Sequence, residues 1–199
     1  MIALTRETGG SSIPIWQGTD DDIQLAQGGF YLAATGLPAG TIIPAGTGFV
    51  FDEATRVATM WGGAVLYADA GNTDVTYQVK KGHTLIVGKY LAAVSGGKAY
   101  AITAIDTSNA AYDVLTVGTT LGAALTAGAN LFASTATGAS AAAHAAINGL
   151  LYDDKLATVG QDVSLVIRGT VYARRIPYAY STAFAALTGL KNIIFSQSK

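Results

Sequence analysis

Apolar and polar residues alternate along this chain in short runs, punctuated by Gly, Pro, Asn and Asp. That is the pattern of half-buried strands joined by turns. The run Val75-Thr76-Tyr77-Gln78-Val79-Lys80 is the simplest case, with Val75, Tyr77 and Val79 on one face. Val163-Ser164-Leu165-Val166-Ile167 is rich in β-branched residues, is interrupted by Arg168-Gly169, and resumes at Thr170-Val171-Tyr172. Asn148-Gly149 signals a turn before the apolar Leu150, Leu151 and Tyr152, and Asp153-Asp154 close that piece. Pro177 cannot donate to a ladder, so it marks a strand end or an edge.

The rest of the chain extends this reading. Pro38-Ala39-Gly40-Thr41 and Pro44-Ala45-Gly46-Thr47 repeat one turn unit six residues apart. Three strands are expected next, over 48–52, 55–60 and 64–68, as a small meander. Leu85 to Leu91 reads as strand, Gly turn, strand, and Leu125 to Phe132 repeats that spacing. Ala99–Ile105 and Tyr112–Val117 are expected strands joined by the hairpin-type loop Asp106-Thr107-Ser108-Asn109. The clearest helix character lies within Ser181–Leu187, where Phe184 and Leu187 share a face and Gly189 suits a C-cap, and the linker alanines allow a helical turn. Asn192 to Phe195 reads as a closing strand. The expected class is all-β: small β-barrel or sandwich units with short strands and one short C-terminal helix. Four segments follow: an N-terminal docking arm at 1–25, a β-barrel-like domain at 26–132, an Ala/Ser/Thr-rich linker at 133–146, and a C-terminal β unit at 147–199.

Gly149-Leu150-Leu151-Tyr152-Asp153-Asp154, followed after a short loop by Val163-Ser164-Leu165-Val166-Ile167-Arg168-Gly169-Thr170-Val171, resembles the C-terminal core of tailed-phage head-decoration proteins. It is closer still to the phage head-fibre proteins. The resemblance reaches upstream to Tyr77-Gln78-Val79-Lys80-Lys81-Gly82-His83 and Ala101–Asn109, and spans about Pro44 to Ile194. It implies a virion structural protein that binds the major capsid protein on the capsid exterior and stabilises the shell, commonly through an N-terminal arm. These motifs are structural, so they transfer no functional residue.

Composition narrows the partners. Only 13% of residues are charged, about half the usual share, while 50% are hydrophobic. So bland a surface suits burial against partners, and with the resemblance it predicts a homotrimer. The net charge of −1 and the absence of basic runs beyond Lys80-Lys81 and Arg174-Arg175 argue against nucleic acid. There is no cysteine for a disulfide or thiolate site. No apolar run reaches membrane-spanning length. Met1–Glu7 lacks the features of a signal peptide, so assembly in the host cytoplasm and residence on the virion are expected.

Residues 1–17 read as an arm. Gly9-Gly10-Ser11-Ser12 is flexible polar material, and Ile13, Ile15 and Trp16 follow with no evident intramolecular partner. Adding a strand to a capsid sheet edge is one docking route. Arg174 and Arg175 beside Tyr178 form the one gathering of charge and aromatics, a second candidate interface.

Catalytic chemistry finds no footing. His83 and His144 lack a spaced partner for zinc and read as exposed. Asp153-Asp154 read as a turn rather than paired acids. No Gly-x-Ser-x-Gly elbow or phosphate-loop pattern occurs. No enzyme activity, cofactor or metal is expected. The competing reading is a carbohydrate-binding or adhesion module that uses exposed tyrosines, with a host-surface glycan as partner. A surface hydrolase is the third, and the missing catalytic set argues against it.

Overall fold

The structure is a computed structural model and describes residues 14–34, 37, 40–94, 97–139, 146–158, 160–177 and 189–197. It is all-β. The helix expected at Ser181–Leu187 lies outside the described residues.

Two β units carry the fold. The first is a nine-stranded sheet. Its strands are β1 (Trp16–Gln17), β2 (Gln24–Leu25), β3 (Phe30–Leu32), β5 (Gly48–Asp52), β6 (Val57–Met60), β13 (Gly149–Leu151), β15 (Asp162–Val163), β16 (Leu165–Tyr172) and β17 (Ile193–Ser196). The hydrogen-bonded order β16-β13-β5-β6-β3-β15 begins and ends on one stretch of chain, because only Ser164 separates β15 from β16. The sheet therefore curls back on itself. Phe30, Leu32, Phe49, Ala58, Leu151, Val163 and Leu165 fill its concave side. The ribbon of β4 (Ile42–Ile43) and β14 (Lys155–Leu156) adds Ile43 to that core.

The other face of this sheet is also covered. Leu150 and Val166, adjacent to Leu151 and Leu165, pack with Ile15, Ile147, Val171, Ile176 and Leu190. Burial on both faces explains why these two strands read as unbroken apolar runs rather than alternating ones. Gly149 lies at a close approach within the sheet. A Cβ there would come within 3.1 Å of the Phe51 ring and 3.2 Å of Leu165.

The second unit contains β7 (Gly63–Val65), β8 (Thr76–Lys80), β9 (Tyr90–Ala92), β10 (Ala99–Asp106), β11 (Tyr112–Val117) and β12 (Asn130–Ser134), in the order β7-β12-β9-β10-β11-β8. A bridge between Leu66 and Val79, with the Tyr67 N–H donating to the Gln78 carbonyl at 2.9 Å, returns β8 to the end of β7. This six-stranded sheet closes as a small barrel. Tyr77, Val79, Leu91, Ile102, Leu115 and Leu131 fill it.

Several local expectations change. β5 and β6 form the expected hairpin, but β7 leaves it for the second unit, so there is no three-stranded meander. Val75 lies outside β8 and is 41% exposed, unlike Tyr77 and Val79. Residues 85–86 form no strand, while the expected turn at Val87–Gly88 and the strand β9 after it are both present. Asn148 does not make a turn. Its carboxamide accepts from the Phe51 N–H and donates to the Phe51 carbonyl, both at 2.9 Å, standing in for a backbone pair. The break at Arg168-Gly169 does not end the strand: β16 runs through it, shifting register against β2 just before, between Val166 and Arg168, with Gly169 at φ 155°.

The strand pairing also groups the chain differently from the segments drawn on the sequence. β13 and β16, from the C-terminal piece, pair with β5, β2 and β1 from the N-terminal part. Residues up to Gly138 remain in the middle unit, where Gly138 and Ala99 exchange backbone bonds at 3.0 and 2.9 Å. The positions 140–145 of the expected linker lie outside the described residues.

Candidate functional site

The expected arm residues that the structure describes are folded into this chain. Ile15 is 7% exposed and belongs to the core behind the first sheet. Trp16 pairs with Val171 in β1, stacks on Tyr152 at 6.4 Å, and donates its Nε1–H to the Tyr152 carbonyl at 2.8 Å. Ile15 and Trp16 showed no evident partner in the sequence because Tyr152 and Val171, which hold Trp16, and Tyr172, whose N–H donates to the Ile15 carbonyl, stand more than 130 residues away. The arm as a separate docking element therefore ends before Pro14.

Arg175 belongs to the same cluster. Its guanidinium lies 4.5 Å over the Tyr172 ring and donates to the Pro14 carbonyl, pinning the entry of β1. Ile15, Trp16 and Arg175 thus converge, as two candidates the sequence treated separately. Arg174 beside them is exposed. Ile13 and Tyr178 lie outside the described residues.

Exposed apolar side chains cluster elsewhere on the first unit. Ile42 (66% exposed) and Leu156 (48%) face each other across the β4–β14 ribbon. Tyr31 and Val57 are neighbours across the parallel β3–β6 pair, and both are exposed. The ribbon is anchored behind by Asp154, whose carboxylate accepts from the Ala45 N–H at 2.7 Å, while Asp153 pairs with Lys155 at 3.0 Å. The two aspartates have separate structural duties and do not form an acid–base pair.

The second unit carries two features. On its outer wall Tyr67 and Tyr112 lie with ring centroids 5.1 Å apart, straddling β8 near the exposed Gln78 and Lys80. At one end of the barrel, Asp113 sits with its side chain 7% exposed. It pairs with Lys81 through one carboxylate oxygen and lies 3.4 Å from His83 Nε2 through the other. Lys81 also donates to the Thr107 carbonyl at 3.0 Å. His83 is therefore not the exposed histidine read from the sequence: its side chain is 8% exposed. Burial pushes its pKa below the ordinary histidine value, against the pull of Asp113, and Lys81 pushes the same way as burial. The signal in the sequence was the position of Asp113. It takes an inward place in the β11 alternation, followed by the inward Leu115 and Val117.

A groove of about 570 Å³ runs between the two units, with Val50 and Met60 from the first and Leu85, Ile86 and Tyr90 from the second. Gly62 and Ala133 join the units beside it through an N–H···O bond of 2.8 Å, and Trp61 packs on Phe132 at 5.7 Å. A more open polar cleft of about 550 Å³ includes Asp22, Arg168 and Asn192.

Among the described residues no group of three or more His, Cys, Asp or Glu side chains is placed to hold a metal. No helix among them is long and apolar enough to cross a membrane. Compared with protein-family models, curated proteins and solved structures, the chain matches none.

Proposed function

We propose that this protein is a tailed-phage virion structural protein, a head-fibre or decoration protein attached to the outside of the capsid. It would bind the major capsid protein as a homotrimer, without enzymatic activity or cofactor, and bind neither nucleic acid nor membrane. The observation that carries the reading is the partnership of β13 and β16. The two halves of the resembling motif, 149–154 and 163–171, are separate in sequence yet pair antiparallel at the centre of the first sheet, Leu150 with Val166 and Leu151 with Leu165. The motif is thus the structural heart of a unit, as a shared fold would require.

The physics of the role is mass action: a protein that binds only the assembled shell stabilises that shell. The exposed Ile42–Leu156 and Tyr31–Val57 pairs supply apolar contact area on the first unit. Docking by the arm falls to the residues before Pro14, Ile13 among them. Cosedimentation of the full chain with tailed-phage heads stripped of external proteins tests this. Saturable binding is expected, and protein left in the supernatant at micromolar concentrations would refute it.

A second reading, glycan binding, draws on the Tyr67–Tyr112 pair. An exposed ring, Tyr67, and a half-buried one, Tyr112, beside a carboxamide and an ammonium suit a sugar face. A glycan array on the full chain, with Tyr67→Ala as control, distinguishes it from capsid binding.

A further inference from the structure

We propose that His83 is an acid-responsive latch, and that protonating its ring frees the Leu85 backbone and rearranges residues 84–86, which wall the groove between the two β units. Nδ1 accepts from the Leu85 N–H at 3.2 Å, and Nε2 faces the Asp113 carboxylate at 3.4 Å. A ring that accepts at Nδ1 and points Nε2 at a carboxylate is neutral and carries its proton on Nε2.

Adding a proton places an N–H on Nδ1 directly against the Leu85 N–H. Two donors cannot hold that contact, so one must turn away. The new charge also arrives beside Lys81, which already engages the other oxygen of Asp113. Asp113 from β11 and Lys81 from the turn after β8 are the charged groups facing the ring, and Asp106 feels Lys81 from the end of β10. One carboxylate, itself buried, would then serve two cations. Burial, which disfavours the charged ring, acts in the same sense.

The consequence travels because Leu85 is not a loose loop residue. It is 4% exposed and part of the second barrel's core. Its neighbour Thr84 holds the start of β7: its N–H donates to the Gly63 carbonyl at 3.2 Å, and its hydroxyl accepts from the Gly63 N–H at 3.0 Å. Gly63 follows Gly62, where the units join. Release of Leu85 therefore acts on the groove wall and on the junction together. As pH falls below the ordinary histidine value of 6.5 the ring charges, and the groove changes shape.

The test is an NMR titration of the full-length, isotope-labelled chain. Long-range proton–nitrogen spectra of the imidazole should show the Nε2–H form at high pH. The Leu85 and Gly63 amides should then move with the same midpoint as ring protonation, below the ordinary histidine value of 6.5. In His83→Asn the carboxamide oxygen can still accept the Leu85 N–H but cannot be protonated, so the Leu85 amide should stay flat. An Nδ1–H or charged ring at high pH overturns the proposal. So does a Leu85 amide that titrates equally in His83→Asn. Should that variant fail to fold, the wild-type chain still decides, since separate midpoints for the ring and for Leu85 refute the latch.

Discussion

The first β unit draws its sheet from the two ends of the described chain, with β5 beside β13 some 100 residues later, whereas the second takes all six strands from the continuous stretch 63–134. Their interiors differ as well. The first is apolar throughout its concave core, while the second ends in the Lys81–Asp113–His83 cluster. The contrast separates two ways of specifying a β unit. Local hairpins specify the second. Mutual burial of distant apolar runs specifies the first, at the cost of closing long loops before any contact forms.

Core truncations test this contrast with the largest effects. Phe49→Ala in the first unit should cost about 3–5 kcal/mol and Leu115→Ala in the second about 2–5 kcal/mol. Hydrogen exchange resolved by residue should show Leu115→Ala exposing the amides of β8, β10 and β11 while sparing β13 and β16. Equal loss of protection across both units would erase the distinction.

Next in size is the N-terminal arm. Removing residues 1–17 takes away β1 and the buried Ile15, worth roughly 1.5–3 kcal/mol of burial by itself, so the melting temperature should fall. Removing residues 1–13 should leave it near that of the full chain while weakening capsid binding. A shared melting temperature for both deletions would show that Ile15 and Trp16 contribute nothing. A smaller effect is expected from Trp16→Phe, which deletes the bond to the Tyr152 carbonyl and should cost about 1 kcal/mol in denaturant titrations.

The pH effect is the most localised. Since burial holds the folded-state pKa of His83 below its unfolded value of 6.5, the unfolded chain takes up the proton first as pH falls. This contribution is complete above 6.5, is lost below it, and loses no more once the folded ring is itself charged. Asp113→Asn removes the one charge that pulls the pKa up, so the loss should extend to lower pH. Stability curves measured from neutral to mildly acidic pH check the sign. A stability rising with acid over that window would contradict it.

Legibility followed the same division. Tyr77 and Val79, the hairpin joining β10 to β11, and the apolar 150–151 and 163–167 runs could all be read, because period and turn chemistry are local. The alliance of β13 with β5 could not, since no short-range signal reports which distant strand an apolar run will meet. Ile15 and Trp16 looked partnerless for that reason. His83 was misjudged because its burial depends on Asp113, thirty residues on and in the third strand after it. The Arg175 contact with Pro14 joins residues 161 apart, so the sequence could place those groups only in separate candidate sites.

The measurement that bears most directly on the proposed role is a cryo-EM reconstruction of stripped tailed-phage heads incubated with the purified chain. The account predicts added density on the outer surface alone, at symmetric positions, with three copies of the two-barrel shape at each. Bare heads at saturating protein, or density inside the shell, would contradict it.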